Sequence, residues 1–227
     1  MDKHLHIVAF DVPWPADYGG VMDVFYTIVS LYKAGCKIHL HCFTSHRTEQ
    51  PELQKYCETV HYYKRKKLAA FSFTVPYIVQ SRSSGELIKR LKEDTYPVLL
   101  EGIHCTYFLH SGALKGRKVF TRLHNTEYEY YRHLAKQENN IFTKIYFSRE
   151  SRLLKKYEAA VANKAPVWAL SSSDMERYKN NFNAKNIYLV PAFVPWQEIK
   201  SKTGKGNYCL YHGNLTINEN SKAAAWL

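Results

Sequence analysis

Three loops of the sequence carry residue types that could bind a small polar ligand. The first contains Tyr18, Gly19 and Gly20, and it lies between an apolar run and a helical pattern. Adjacent glycines let the backbone approach a ligand closely, and the start of a helix offers free N–H groups to a phosphate. We therefore interpret these three residues as candidate substrate- or phosphate-binding residues. A tight turn between a strand and a helix is the alternative interpretation.

The second loop places His124 and Asn125 directly after the apolar run 118–123. A side chain at the carboxyl end of a parallel strand lies at the ligand crevice of such a sheet. A histidine there, with a pKa near neutrality, could hydrogen-bond or share a proton with a bound hydroxyl. His124 is the candidate catalytic residue, and Asn125 is a candidate binding residue.

The third loop contains Glu101 and His104, after the apolar run 97–100. Glu101 could orient a sugar hydroxyl or a neighbouring histidine, although it could equally cap the next helix. Arg82, between two serines, could contact a phosphate, and Ser172 could bind an anion at a helix start, with capping as the alternative. No spacing of His, Cys or carboxylates matches a metal motif, and neither a G-x-G-x-x-G turn nor a Walker loop is present. We expect no metal.

The composition sets the class of partner. The 32 Lys and Arg against 20 Asp and Glu give a net charge of +12, which favours nucleic acid, a phosphorylated ligand or an acidic membrane. The basic run 64–67 precedes an aromatic segment, so a peripheral membrane contact and a solvated basic loop are both open. The chain has no run of about 20 apolar residues, so we expect no transmembrane segment, and its first residues lead straight into a predicted strand, so we expect no signal peptide. Five cysteines without a C-x-x-C pair indicate reduced thiols in a cytoplasmic protein.

The elements that must position these loops alternate between strands and helices. Short apolar runs predict strands at 6–10, 37–43, 59–63, 97–100, 118–123, 167–170 and 187–190. Helical spacing predicts helices at 21–32, 86–92, 127–136, 143–163 and 175–180, with Gly35 as the stop after the first and Ile145 on the inward side of the longest. This order predicts an α/β fold with a doubly wound, mostly parallel sheet.

The composition changes after Trp196. We predict one domain over residues 1–196, a polar linker over 197–207, and the beginning of a second domain over 208–227. That last part contains a predicted strand at 208–211 and the start of a helix near Asn218. One strand and one short helix cannot bury a core, so we expect this chain to be truncated at the start of the second domain.

The Gly-Gly loop opening the first helix and a strand ending in His-Asn together resemble the N-terminal domain of GT-B glycosyltransferases. The resemblance covers most of residues 5–195, and it is greatest to the family-4-like bacterial enzymes. The Tyr157-Glu158 helix followed by 167–174 is similar to the end of that domain. Residues 211–215, Tyr-His-Gly-Asn-Leu, are similar to the first strand and loop of the second domain.

The resemblance implies a Rossmann-like acceptor domain and a second domain that holds most of a nucleotide-sugar. Gly19 and Gly20 would lie beside the donor pyrophosphate, His124 would contact the transferred sugar, and Gly213 would begin the donor-side loop. It implies a hexosyltransferase, retaining in outcome, with the nucleotide-sugar as co-substrate and no cofactor. The acceptor would be a glycan or a lipid-linked phosphate in surface polysaccharide or glycolipid synthesis, at the inner face of the membrane.

The sequence departs from this family because the expected E-x7-E glutamates and the basic residues that neutralise the leaving diphosphate would lie beyond Leu227. We therefore expect these 227 residues alone to be inactive. Two alternatives stay open. A basic nucleic-acid-binding module fits the charge, but no RNP, HTH or zinc-finger pattern is present, so we expect no nucleic-acid partner. A sugar-nucleotide epimerase or dehydrogenase would need a glycine-rich turn where residues 14–18 stand.

Overall fold

A computed structural model describes residues 3–67, 71–196, 198–201, 203–213, 215 and 218–227. The chain divides into two compact units, Met1–Phe193 and Val194–Leu227. No helix of the described ranges is long and apolar enough to cross a bilayer. The five cysteines carry free thiols.

The first unit is built on a seven-stranded sheet in which every neighbouring pair of strands is parallel. The strand order is β3-β2-β1-β4-β5-β6-β7. The strands are β1 Lys3–Ala9, β2 Cys36–Thr44, β3 Thr59–Lys64, β4 Val98–Glu101, β5 Val119–Leu123, β6 Val167–Ala169 and β7 Ile187–Leu189. The predicted alternation of strands and helices is confirmed, and all seven predicted strands of this unit are present.

Helices and short 3₁₀ turns connect the strands. The helices of the first unit are α1 Gly19–Lys33, α2 Tyr77–Gln80, α3 Gly85–Leu91, α4 Tyr107–His110, α5 Glu127–Gln137, α6 Ile141–Val161 and α7 Ser172–Phe182, and the 3₁₀ turns are Pro51–Lys55 and Ile103–Cys105. Ser84, Asn140 and Ser171 cap α3, α6 and α7 through their side chains. Gly35, in a left-handed conformation with φ 80°, follows the end of α1.

The two faces of the sheet carry separate apolar cores. On one face, Val24 and Ile28 of α1 pack with Ile7 and Ala9 of β1. On the other face, Val8 and Leu100 pack with the apolar side of α3. Because side chains alternate along a strand, both cores come from the same strands. The doubly wound, Rossmann-like sheet predicted from the sequence is therefore present.

The order of the strands fixes where a ligand can bind. The chain runs outward from β1 through β2 to β3, and then returns to β4 on the other side of β1. The connections after β1 and β4 therefore diverge, and they leave a crevice beyond the carboxyl ends of these two strands. The loops after β1, β4 and β5 meet at this edge.

Ile145 does not point inward as predicted, because its side chain is 58% exposed. The buried stripe of α6 contains Leu154, Tyr157 and Val161. Ile145 precedes Leu154 by nine residues, which at about 100° per residue places it on the opposite side of the helix. The prediction extended the buried stripe beyond the turns that pack on the sheet.

The second unit contains α8, Asn218–Trp226, but the predicted strand at 208–211 is absent. Tyr208 and Leu210 are 81% and 82% exposed. A strand needs a neighbour to satisfy its backbone groups, and none of the described residues forms a ladder with this segment. Its short apolar run alone was not enough to make it a strand.

Candidate functional site

The candidate site lies at the carboxyl ends of β1, β4 and β5. Phe10 follows β1, Gly102 follows β4 and His124 follows β5. The ring of Phe10 has its centroid 5.3 Å from the ring centroids of both His104 and His124. Phe10 therefore joins the three loops.

Two glycines make room for these rings. A Cβ on Gly20 would lie 3.0 Å from Cζ of Phe10, and a Cβ on Gly102 would lie 2.9 Å from Nδ1 of His104. Gly102 also has φ 76°, which favours glycine. The structure thus brings Gly20, His104 and His124 around one aromatic ring.

A buried ion pair lies on the α1 side of the sheet at this edge. Arg122 of β5 donates from Nε and Nη2 to the two carboxylate oxygens of Asp23, at 2.6 and 2.8 Å. The side chains are 0% and 3% exposed. The N–H of Phe193 donates to Asp23, and Arg122 also donates to the carbonyl of Pro191, both at 3.0 Å. The pair therefore holds the segment after β7 against the same edge.

His124 lies between two carboxylates. Its Nε2 is 2.9 Å from Oε2 of Glu101, and its Nδ1 is 3.9 Å from Oδ2 of Asp23. The shorter contact orients the ring with Nε2–H donating to Glu101. Nδ1 then faces the Asp23 carboxylate without a hydrogen bond to it. Any positive charge on the imidazole is stabilised from both sides.

Three buried polar atoms of the site have no hydrogen-bond partner among the described residues. They are Oε1 of Glu101, Nη1 of Arg122 and Nδ1 of His104. Most buried polar groups in proteins are paired, so groups without a partner are candidates for contact with a ligand or water. The edge thus retains an acceptor on Glu101 and a donor on Arg122.

Burial changes the acidity of the basic groups around Phe10. It lowers the pKa of His104 well below its ordinary value, and the nearby positive charge of Arg82 lowers it further. Burial also lowers the pKa of Arg82 to about 10. Arg82 donates to the carbonyls of Phe10, at 2.9 Å, and Ile78, at 2.6 Å. It fixes the loop after β1, a role that the sequence did not indicate.

The remaining predicted residues of the first unit lie around the loops. Tyr18 precedes α1, its hydroxyl donates to Asp11 at 3.3 Å, and its ring lies under the guanidinium of Arg47. Asn125 is exposed, directly after His124. Ser172 is exposed in the first turn of α7.

The first turn of α7, which begins at Ser172, contains the carboxylate of Asp174. Asp174 accepts hydrogen bonds from the backbone N–H and the hydroxyl of Thr126, at 3.2 and 2.7 Å. Ser171 caps the helix by accepting from the N–H of Asp174. These bonds tie the loop after β5 to α7.

Gly213 belongs to the second compact unit, Val194–Leu227. A Cβ at this position would lie 3.0 Å from the hydroxyl oxygen of Tyr211. Asn214, the next residue of the predicted donor-side loop, lies outside the described residues.

The sequence interpretation assigned no role to Asp23, Arg122 or Glu127, although the last two flank His124. A charged residue in the apolar strand 119–123, and an acid on the buried side of α1, were signals for a buried pair. Glu127 begins α5 with 5% exposure, and burial raises its pKa to about 7. The buried Glu158 caps the same helix by accepting from the N–H of Glu127 at 2.8 Å.

The fold also assembles a group that no sequence spacing indicated. One ligand atom from each of Asp23, Glu101 and His124 lies within 4.8 Å of the others. Both oxygens of Asp23, however, already accept from Arg122, and Nε2 of His124 is bonded to Glu101. A cation here would have to displace a guanidinium, so this donor set does not suit a metal.

Comparison with known proteins gives a similar sequence and several similar solved structures. No protein-family model matches the chain. An uncharacterized 44.6 kDa protein in the cps region of Klebsiella pneumoniae is 30% identical over 233 residues, which cover 97% of this chain and 58% of that protein. The chain thus spans less than two thirds of that relative.

Two of the similar solved structures come from plants. Arabidopsis thaliana UGT89C1, complexed with UDP-L-rhamnose, aligns with a TM-score of 0.51 and 12% identity over all of this chain and 54% of its own. Phytolacca americana UGT2, complexed with UDP-2fluoro-glucose and pterostilbene, aligns with a TM-score of 0.49 and 7% identity over 85% of this chain and 53% of its own. The first likeness shows the fold alone: a Rossmann-like α/β sheet.

Proposed function

We propose that the chain is the acceptor-side part of a glycosyltransferase. It would transfer a sugar from a nucleotide-sugar to a glycan or lipid-linked acceptor in surface polysaccharide or glycolipid synthesis, on the cytoplasmic side of the membrane. The observation that carries the proposal is His124, held by Glu101 and facing Asp23, at the crevice where Glu101 and Arg122 keep unpaired polar atoms.

In the proposed reaction, the bond from the anomeric carbon to the diphosphate oxygen breaks and the acceptor oxygen bonds to that carbon. The proton of the acceptor hydroxyl passes to the departing diphosphate. Positive charge develops on the sugar and negative charge on the leaving diphosphate. Glu101 and Asp23 favour positive charge near His124, and the ring contacts the transferred sugar. Glu101 Oε1 accepts from a sugar hydroxyl. The outcome is retaining, which the anomeric configuration of the product tests.

The first turn of α1 suits the leaving diphosphate. It begins at Gly19 and Gly20 and contains no acidic residue, so its positive end is not neutralised within that turn. Gly213 contributes to the donor-side loop. The donor is a co-substrate, and no resident metal or cofactor takes part.

The similar proteins support the class of substrate. A structural neighbour is complexed with UDP-L-rhamnose, a nucleotide-sugar. The similar sequence comes from a cps region. We also propose that residues 1–227 alone do not catalyse sugar transfer, because the groups that neutralise the diphosphate belong to a second lobe.

The test measures nucleoside diphosphate release from UDP- and GDP-sugars in a polypeptide that carries both lobes, with lipid-linked saccharide acceptors. His124→Ala is expected to lower the rate by about 10²- to 10⁴-fold, the usual contribution of a positioned catalytic side chain. His133→Ala is the matched control, because His133 is 64% exposed on α5. Unchanged turnover in the His124→Ala protein contradicts the proposal, as does steady turnover by the 227-residue chain alone.

A further inference from the structure

The first two turns of α6 expose apolar side chains. Ile141, Phe142 and Ile145 are 60%, 79% and 58% exposed. Residues three and four apart share one side of a helix, so these three side chains form one surface. Exposed apolar surfaces of this kind mark sites of interaction with a partner or a membrane.

A neighbouring segment extends this surface. Phe71 and Phe73 are 58% and 81% exposed, and their rings lie 4.5 and 5.8 Å from the guanidinium carbon of Arg149. Arg149 also donates to the carbonyl of Ser72. Arg149 lies four residues after Ile145 and thus on the same side of α6. We call the five exposed side chains the apolar stripe: Phe71, Phe73, Ile141, Phe142 and Ile145.

A basic cavity opens beside the apolar stripe, at the carboxyl ends of β2 and β3. Its volume is about 1030 Å³. The basic residues that line it are His46, Arg47, Lys64, Arg65, Lys66 and Lys67. No carboxylate is among the described residues that line it. Phe71 and Tyr146 also line it, which places one wall of the cavity at the apolar stripe.

The positive charges of the basic run have no acidic partner among the described residues. Arg65 donates to the hydroxyl of Ser81 at 3.3 Å, and Lys66 donates to the hydroxyl of Ser83 at 3.0 Å. Both partners are neutral. Lys64 and Lys67 are exposed and form no ion pair with a described residue. Arg47 forms an ion pair with Asp17, so the uncompensated positive charge of the cavity is that of residues 64–67.

We propose that the apolar stripe and the basic cavity form one docking site for an anionic lipid bilayer. The aromatic and aliphatic side chains enter the interfacial region, and the cavity takes the phosphate of a lipid headgroup. The inference deepens the proposed function, on which it rests in part, because it places the lipid-linked acceptor's phosphate at the ends of β2 and β3.

The apolar stripe favours a bilayer over a soluble anion. A free phosphate needs the cations alone and makes no use of apolar side chains that are 58–81% exposed. A single-stranded nucleic acid can stack its bases on aromatic rings, but it makes no use of the aliphatic side chains of Ile141 and Ile145. A bilayer needs both features, since anionic headgroups attract the cations and the interface accepts the aromatic rings. Charge and apolar surface lie together here.

The experiment is co-sedimentation of the 227-residue chain with phosphatidylcholine vesicles, with and without phosphatidylglycerol. We expect binding only to the anionic vesicles, and weaker binding when salt rises from about 0.1 M to about 1 M, since salt screens surface charges. Equal binding to both vesicles, or no binding to either, overturns the proposal.

Two variants separate the contributions. Lys64→Gln with Lys66→Gln and Lys67→Gln is expected to weaken binding about 100-fold, because each charge near an anionic surface contributes a factor of about five. Phe73→Ser with Phe142→Ser is expected to weaken it about tenfold or more. All five side chains are exposed, so the variants should fold, and circular dichroism and thermal unfolding check this.

Matched controls lie elsewhere on the surface. Lys156→Gln with Lys179→Gln and Lys185→Gln removes the same charge from exposed positions, and Tyr32→Ser with Tyr188→Ser removes exposed aromatic rings. If these controls weaken vesicle binding as much as the test variants do, the binding depends on net charge or on non-specific hydrophobic adsorption, and the proposal is wrong.

A soluble probe tests the competing source of phosphate. Calorimetry measures pyrophosphate binding by the chain and by the Phe73→Ser, Phe142→Ser double variant. If both bind pyrophosphate equally well and the chain does not bind vesicles, the cavity is a soluble-anion site and the docking proposal is wrong. His124→Ala should bind vesicles like the unchanged chain. Vesicle binding without sugar transfer would therefore reject the proposed function while leaving the docking site intact.

Discussion

Two polar networks of the sheet differ in how completely their hydrogen bonds are satisfied. The first, the histidine chain, consists of Asp94, His6, His41 and Tyr63. His6 is 2.9 Å from both Asp94 and His41, and His41 is 2.8 Å from the hydroxyl of Tyr63. It lies on the face of the sheet opposite α1, because His6 alternates with Ile7.

The histidine chain has one consistent set of donors. Tyr63 O–H donates to Nδ1 of His41, His41 Nε2–H donates to Nδ1 of His6, and His6 Nε2–H donates to Asp94. Arg117 also donates to Asp94, at 2.6 Å. None of the buried side-chain atoms of these four residues lacks a hydrogen-bond partner.

The second network, at the carboxyl edge, contains Asp23, Glu101, Arg122 and His124. It has comparably short contacts, yet Oε1 of Glu101 and Nη1 of Arg122 stay unpaired. A fully paired network contributes to stability, whereas an incompletely paired one costs stability unless a ligand completes it. The comparison therefore separates histidines that support the fold from the histidine proposed for catalysis.

The largest effect on stability is expected from Arg122→Met. It leaves the buried carboxylate of Asp23 without its counter-ion, which costs about 3–5 kcal/mol of the free energy of unfolding. Urea unfolding followed by circular dichroism measures this. Arg122→Met combined with Asp23→Leu should recover part of the loss, since no charge is then left unpaired. A double variant as unstable as the sum of the two single variants would show that the pair does not act as a unit.

His41→Leu should break the histidine chain. It leaves the hydroxyl of Tyr63 and Nδ1 of His6 unpaired, so a loss of about 1–3 kcal/mol in the free energy of unfolding is expected. Adding Tyr63→Phe should restore part of it. Sugar transfer by folded protein should be unchanged, and a loss of turnover at full folding would remove the distinction between the two networks.

The histidine chain and the buried Glu127, which begins α5, are expected to respond to pH with opposite signs. Burial lowers the pKa of His6 and lowers that of His41 to about 2, so the folded protein binds fewer protons than the unfolded chain below about pH 6.5. Their contribution to stability is present above about pH 6.5 and is lost as pH falls. Burial instead raises the pKa of Glu127 to about 7, so its contribution is lost as pH rises through 7.

Where the folded and unfolded states differ by one bound proton, the free energy of unfolding changes by about 1.4 kcal/mol per pH unit. Between about pH 4.5 and 6.5, the two contributions oppose one another. His41→Leu should flatten the acid-side loss, and Glu127→Gln should make it steeper, as measured by urea unfolding across this range. Parallel stability curves for all three proteins would contradict both assignments.

The sequence was sufficient to predict the sheet because strand alternation and helix periodicity are local. It also placed Glu101 and His124 at strand ends, where the sheet topology brings Oε2 of Glu101 to 2.9 Å from Nε2 of His124. The Asp23–Arg122 pair joins residues 99 positions apart, on a helix and a strand. No local sequence pattern predicts a contact between residues so far apart in the sequence. The outward side of Ile145 depends on which turns of α6 find a neighbour, which is also a property of the whole fold.

The smallest effect on stability is expected from Glu101→Gln, which distinguishes positioning from charge at the carboxyl edge. The amide oxygen of Gln can still accept from Nε2–H of His124, so the free energy of unfolding should change by less than about 1 kcal/mol. The negative charge beside the imidazole is lost, so sugar transfer should slow about tenfold or more. Steady-state kinetics measures this: kcat should fall, because the positive charge that develops beside His124 in the transition state loses a compensating carboxylate. A change in KM alone, with kcat unchanged, would mean that Glu101 binds substrate without acting on His124.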